Sequence, residues 1–286
     1  MSTPSESAPQ PQPAPDDPFP SAAEDAQALH VVPDTEQTRS PTFRLAYTDQ
    51  DFLLRDELRP TRMQLELMKP EFILQEERIA STIVVFGSAR ARPPAEGAAG
   101  DGPAPTGRGA ALSRYYEEAR RFASLASSAG QCSGERSFVI VTGGGPGIME
   151  AANRGAHEVG ARSIGLSIVL PHEQWPNRYV TPQLSFCFHY FGIRKMHFLM
   201  RARALVCFPG GFGTMDELFE TLTLIQTGRI APIPVLLFDE AWWRRIVNFE
   251  TMVEEGVIDA KDLGIFRYVD SAEAAWRHIA AAYGLA

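Results

Sequence analysis

Residues 207–220 read CFPGGFGTMDELFE. Gly210, Gly211 and Gly213 form a turn whose backbone N–H groups lie open, and Thr214 adds a hydroxyl that can cap the helical pattern that follows or meet a ligand. A helix start with bare N–H groups attracts anions, phosphate above all. A second tip, VTGGGPGIMEAANRGA, carries Gly143, Gly144, Gly145 and Gly147 and also leads from an apolar run into a helix. Neither tip has GxGxxG or P-loop spacing. The apolar run after the second tip ends in Leu170 and Pro171, so no acid stands ready for a ribose 2′-hydroxyl and a dinucleotide site is excluded. Each turn alone could serve tight strand-to-helix packing only. Two of them in one sheet point to a phosphate.

The charged residues near these tips have competing readings. Thr214-x-x-Glu217 matches a capping box, in which Glu217 reaches back to the helix start, and periodicity alone favours that reading over one in which Glu217 faces a ligand. Asp216 and Glu220 read as ordinary helix acids, and Met215, Leu218, Phe219, Leu222 and Ile225 as one core-facing stripe. In FGIRKMHFLMRAR, Arg194 and Lys195 come early in a helix, where cations oppose the helix dipole and an anionic ligand would compensate. Arg201 and Arg203 fall near its end, where the dipole favours them. His172, His189 and His197 lack metal-ligand spacing, and Cys132, Cys187 and Cys207 form no CxxC, so they read as buried free thiols in a reducing compartment and no metal is expected.

The elements that must position these residues follow from the apolar rhythm. β-branched runs at 82–90, 137–147, 163–171, 184–191, 204–211 and 233–239 alternate with helical patterns at 111–129, 147–159, 192–203, 214–227, 240–255 and 271–283. That order predicts an α/β, Rossmann-like, mostly parallel sheet covered by helices on both faces, with its glycine tips at the carboxyl ends of strands. A Pro/Gly/Ala-rich insertion at 91–110 separates the first strand from its helix and reads as a lid or a functionless insertion. Residues 42–80 read as a helical extension punctuated by Pro60 and Pro70, and the main domain as 81–286. Residues 1–41 hold nine of the 22 prolines and −6 of the net charge of −8, and read as a disordered acidic tail. The remaining body is nearly neutral, which argues against nucleic-acid binding. No stretch resembles a signal peptide, a transit peptide or a membrane span, so a cytoplasmic location is expected.

GGGPGIMEAANRGA and PGGFGTMDE, with Arg194-Lys195 between them, closely resemble the LOG (Lonely Guy) phosphoribohydrolases. Residues 209–217 match the family signature PGGxGTxxE in full, and FGSAR (86–90) is similar to its first strand end. The resemblance covers about 81–286 and leaves out the acidic tail and the 91–110 insertion. It implies homodimers or higher homo-oligomers that hydrolyse the N-glycosidic bond of a nucleoside 5′-monophosphate, usually AMP or a cytokinin nucleotide, without a cofactor. It further implies that Arg194 and Glu217 are catalytic, and that Gly87, Ser88, the two glycine turns, Thr214 and Lys195 hold the substrate. Such sequences have also carried the label lysine decarboxylase, for which no residue context typical of a pyridoxal phosphate site is present. A different expectation comes from relatives of the fold that carry a nucleotide-like molybdenum cofactor without cleaving it; such a binder needs the glycine turns but not the Arg/Glu pair.

Overall fold

A computed structural model describes residues 19–94, 108–131, 134–171 and 175–285. The chain divides into two compact units, which meet in sequence at Arg62 and Met63. In the first, the short helices α1 (Ala22–Ala28), α2 (Glu36–Arg39) and α3 (Gln50–Leu53) bury no residue. Their own caps close them: Ser21 and Glu24 form a capping box on α1, Thr35 and Thr38 another on α2, and Asp49 caps α3. Composition alone, which suggested a featureless 1–41, does not register such local bonds. Residues 1–18 lie outside the described residues, as do 95–107 of the expected insertion, together with Cys132 and His172.

Helix α4 (Arg59–Glu76) starts beside Pro60, as expected, but runs on through Pro70. Pro70 cannot donate to the carbonyl of Glu66 one turn back. That carbonyl is met by His197 Nε2 at 3.2 Å, so a buried histidine replaces the missing helical bond. The Glu66 carboxylate in turn accepts the N–H groups of His189 and Tyr190 at 2.8 and 3.1 Å, at the start of the helix that carries Arg194.

The remaining elements alternate as β1 (Thr82–Phe86), α5 (Arg108–Gly130), β2 (Val139–Thr142), α6 (Ile148–Glu158), β3 (Ser163–Ile168), β4 (Ser185–Phe188), α7 (Phe191–Leu199), β5 (Ala202–Cys207), α8 (Phe212–Gln226), β6 (Val235–Phe238), α9 (Glu240–Ile246), α10 (Phe249–Glu254), β7 (Phe266–Val269) and α11 (Ala272–Ala282). All pairings are parallel, and the sheet order is β4-β3-β2-β1-β5-β6-β7. Ile83 and Val85 of β1 enter the core beneath α5, α6 and α11, while Val84 and Phe86 enter the opposite core with Phe198, Leu218 and Trp243. Strands buried on both faces require the near-continuous apolar runs seen in the sequence. Full burial of each such side chain contributes roughly 1.5–3 kcal/mol.

Four sequence expectations change. Strand β7 was not anticipated: FRYV is short, with Arg267 exposed at its centre, and only its pairing with β6 identifies it. The helix expected over 240–255 breaks at Val247, because Asn248 caps a new helix through the N–H of Thr251. Arg201 and Arg203 do not end a helix: α7 stops at Leu199, Arg201 pairs with Glu71, and Arg203 lies in β5. Cys207 is buried, but Cys187 is exposed, since it points outward from the edge strand β4.

Candidate active site

The order of strands reverses at β1, which lies between β2 and β5. A crevice therefore opens beyond the carboxyl ends of β1 and β5. The two ends are laced together: Phe208 N–H donates to Phe86 O at 2.8 Å and Ser88 N–H to Pro209 O at 3.0 Å. Above them lies a cavity of about 880 Å³. Gly87 and Ser88 line it from β1, Gly143 and Gly145 from β2, and Gly210, Gly211, Gly213, Thr214 and Glu217 from β5 and α8, with Arg194 of α7 between. Three further candidates, Gly144, Gly147 and Lys195, fall outside that lining.

The capping-box reading of Glu217 fails. The N-cap of α8 is Gly211, three residues before Thr214, and no side chain caps the helix. Thr214 is inside the first turn, and Glu217 belongs to the second. A Cβ on Gly210 would fall 2.1 Å from Thr214 Oγ1, so the glycine lets the loop close directly onto the threonine. The helix thus starts early and presents the uncapped N–H groups of Phe212 and Gly213 at the cavity.

The expected apolar stripe of α8 does face the core: Leu218 is buried in it, and Met215, Phe219, Leu222 and Ile225, partly buried, pack against it. The buried residues of α8 are Thr214, Glu217, Leu218 and Thr221. Glu217 is 6% exposed, and its carboxylate makes no hydrogen bond among the described residues. Burial pushes its pKa up to about 7; the positive charges of Lys195 and Arg194 oppose that rise, and Glu220 and Asp216 add to it.

Arg194 is fixed on three sides. Its Nε donates to Leu166 O at 2.7 Å, its guanidinium lies 5.0 Å from the centroid of the Phe198 ring, and a Cβ on Gly143 would fall 2.8 Å from its Nη2. Burial lowers its pKa, while the charge of Glu217 supports the cation. Lys195 instead bridges Asp216 at 2.9 Å and Glu220 at 3.0 Å, so these acids are not idle helix decoration. The lysine tethers α7 to α8 and holds Arg194 and Glu217 on neighbouring elements.

The two glycine turns are unequal. In the β2 turn, the Gly144 N–H is taken by Thr142 Oγ1 at 3.0 Å, Ile148 N–H is taken by Ser88 O at 3.1 Å, and Pro146 has no N–H. Gly147, at φ 75°, is a packing glycine: a Cβ there would lie 2.3 Å from Ser88 O. Much of the donor capacity of this turn is spent internally, so the start of α8 is the stronger anion site. Sequence reasoning missed Asn153 and Asn177, which brace the β2 turn, and Arg90, Trp175 and Trp242, which line the cavity. Asn153 left a signal, as a polar residue on the otherwise apolar face of α6.

Residues 149–279 match the family model described as "Possible lysine decarboxylase". A probable cytokinin riboside 5′-monophosphate phosphoribohydrolase, LOG4 of Oryza sativa subsp. japonica, is 31% identical over 155 residues, covering 53% of this chain and 66% of its own length. The cytokinin riboside 5′-monophosphate phosphoribohydrolase LOG3 of Arabidopsis thaliana is 30% identical over 128 residues, covering 43% of this chain and 58% of its own. Over about half of its length the chain is similar to LOG-family proteins. It spans just under two thirds of the length of the first of these relatives and less of the second. The structure of the molybdenum cofactor binding protein from Rippkaea orientalis is 16% identical, with a TM-score of 0.47, covering 72% of this chain and 98% of that one, a likeness too low to carry an argument. Lys195, next to Arg194 in sequence, is held in two ion pairs and does not line the cavity, which is no arrangement for a Schiff-base amine. No helix among the described residues is long and apolar enough to cross a membrane.

Proposed function

We propose that this protein hydrolyses the N-glycosidic bond of a nucleoside 5′-monophosphate, releasing free base and ribose 5-phosphate. One observation carries the reading: a buried, unpartnered carboxyl with a pKa near 7, Glu217, shares a cavity with Arg194 and with an uncapped helix start. The α8 N-terminus, Gly210 and Thr214 hold the phosphate, and binding energy from that non-reacting group places the sugar beside Glu217. As the C1′–N bond breaks, its electron pair leaves with the base and positive charge builds on the ribose ring. Ionised Glu217 stabilises that charge and takes a proton from the water whose oxygen bonds to C1′. Arg194 offsets negative charge on the departing base or on the phosphate, and the proton taken up by Glu217 passes by way of solvent to the base nitrogen, so that the base leaves neutral and the carboxylate is ionised again.

The substrate class is AMP or an N6-substituted AMP. The names of the relatives support it, as do the apolar walls around the cavity: Trp175 is 75% exposed, Phe212 is 96% exposed, and both have room for an apolar substituent. The test is base release from AMP, N6-isopentenyl-AMP, GMP and CMP, beside the matching nucleosides. Loss of the phosphate should lower kcat/KM by about 10²-fold or more. Equal rates on AMP and adenosine would show that the helix start holds no phosphate. Tight binding of every monophosphate with no base released would favour a carrier.

We also propose self-association through α7 and α8, where Met196, Met200 and Phe212 are 49%, 48% and 96% exposed. Light scattering should return at least twice the 31.5 kDa of the chain. A monomer mass at micromolar concentration would rule this out.

A further inference from the structure

The β2 turn is gripped from behind by side chains that the proposed chemistry does not use. Asn177 lies between β3 and β4. Its backbone N–H donates to Gly144 O at 2.7 Å, and its Nδ2 to Gly144 O and Gly145 O at 3.0 Å each and to Asn153 Oδ1 at 2.9 Å. Its own Oδ1 accepts the N–H of Tyr179 at 3.2 Å, which fixes the amide orientation. Asn153 Oδ1 also accepts Thr142 Oγ1 at 2.8 Å, and its Nδ2 donates to Ser163 Oγ at 3.0 Å. Thr142 Oγ1 accepts the Gly144 N–H. The bonds close a ring: Gly144 N–H, Thr142, Asn153, Asn177, Gly144 O. Both polar groups of one glycine are thereby fixed, at a φ of 75° that side-chain-bearing residues rarely adopt.

We propose that Asn177 is a positioning residue for the reaction: by holding the Gly144 and Gly145 carbonyls it orients the β2 turn toward the ribose and toward Arg194. This rests on the nucleotide-hydrolase reading. The Gly144–Gly145 peptide is trans, so a carbonyl drawn back by Asn177 turns the Gly145 N–H the opposite way, in a residue that lines the cavity. Pro146 supplies no N–H, so this turn offers the cavity few donors, which suits sugar hydroxyls better than a phosphate. Gly143, next in the turn, lies against the Arg194 guanidinium, so the register of the turn sets the position of that cation. Trp175, two residues before Asn177, lines the same cavity, and the clip joins that wall to the turn. A closed ring of hydrogen-bonded polar groups, buried at Thr142, Gly144 and Asn153 and half-buried at Asn177, favours one arrangement and loses definition when one member goes.

The consequence is a division between grip and geometry. With the phosphate held at α8, loss of the clip leaves binding largely intact and disturbs the approach of the sugar to Glu217. The experiment uses the full chain with Asn177→Ala and Asn177→Asp, measuring kcat and KM for AMP and N6-isopentenyl-AMP, beside melting curves. Asn177→Asp keeps the shape but sets a carboxylate against two carbonyls. Its kcat should fall by about 100-fold, and that of Asn177→Ala by about 10-fold, with KM within about threefold of wild type in both. If Asn177→Asp does not fold, Asn177→Ala still reads the split. A lowered melting temperature with wild-type kcat in either variant would make the clip merely structural and overturn the proposal, and so would a rise in KM alone. A wild-type chain that cleaves no monophosphate would instead overturn the activity on which the proposal rests.

Discussion

Glu217→Gln should release base roughly 10²–10⁴ times more slowly than wild type, and above pH 7 it should melt at a higher temperature. The two effects share one cause. The Glu217 carboxyl is buried and unpartnered, with its pKa raised from 4.5 to about 7. The folded state therefore keeps a proton that the unfolded chain has given up between those values. The favourable contribution of the group is complete below about pH 4.5 and is lost as pH rises through about 7. Above that, the fold carries an ionised buried carboxylate at a cost of roughly 3 kcal/mol. Glutamine removes that cost and also removes the group that accepts the proton. Since α8 begins at Gly211 with no side-chain cap, no capping bond is lost with Glu217. Base release by the wild type should rise through about pH 7, as the working carboxylate forms. Near wild-type turnover in Glu217→Gln would end the proposed mechanism; a lower melting temperature at pH 8 would show that the carboxylate is paired after all.

Arg194→Ala should lower base release by roughly 10²–10³-fold while the protein still folds. The guanidinium is held by the Leu166 carbonyl, the Phe198 ring and the close approach of Gly143, all of which aim it into the cavity and none of which neutralises it. Its removal leaves one buried carbonyl unpaired, a cost of about 1–3 kcal/mol that the extensive core can absorb. Gly143→Ala should reproduce part of the loss, because the new methyl would fall 2.8 Å from Nη2 and the cation would have to move. Arg201→Ala is the control: Arg201 pairs with Glu71, so the change should lower melting temperature and spare base release. If Arg201→Ala proved the more damaging to turnover, the anion would have to bind at the other end of α7.

The parallel sheet and its glycine tips were legible in the sequence because a strand buried on both faces must be apolar throughout, and because the turns after β2 and β5 bring backbone so close to neighbouring atoms that Gly147 and Gly210 leave no room for a Cβ. Arg194, Glu217 and the β5 tip could be named because they sit within or beside a continuous motif. The buried, unpartnered environment of Glu217 was not legible. Thr214-x-x-Glu217 has the spacing of a capping box, and the helix start moved to Gly211 only because Gly210 lets the loop close onto Thr214. Burial of the carboxylate, and with it the raised pKa, is a product of how α8 and α7 pack against the sheet, which no local pattern records. The same holds for α4, where His197 replaces the bond that Pro70 cannot make, from a position 131 residues away from the carbonyl it meets. It holds as well for Asn177, which reaches Gly144 across 33 residues of chain. Apolar periodicity and turn chemistry are local and survive in a string of letters. Hydrogen bonds between distant segments and the loss of water around one carboxyl exist only once the chain has packed.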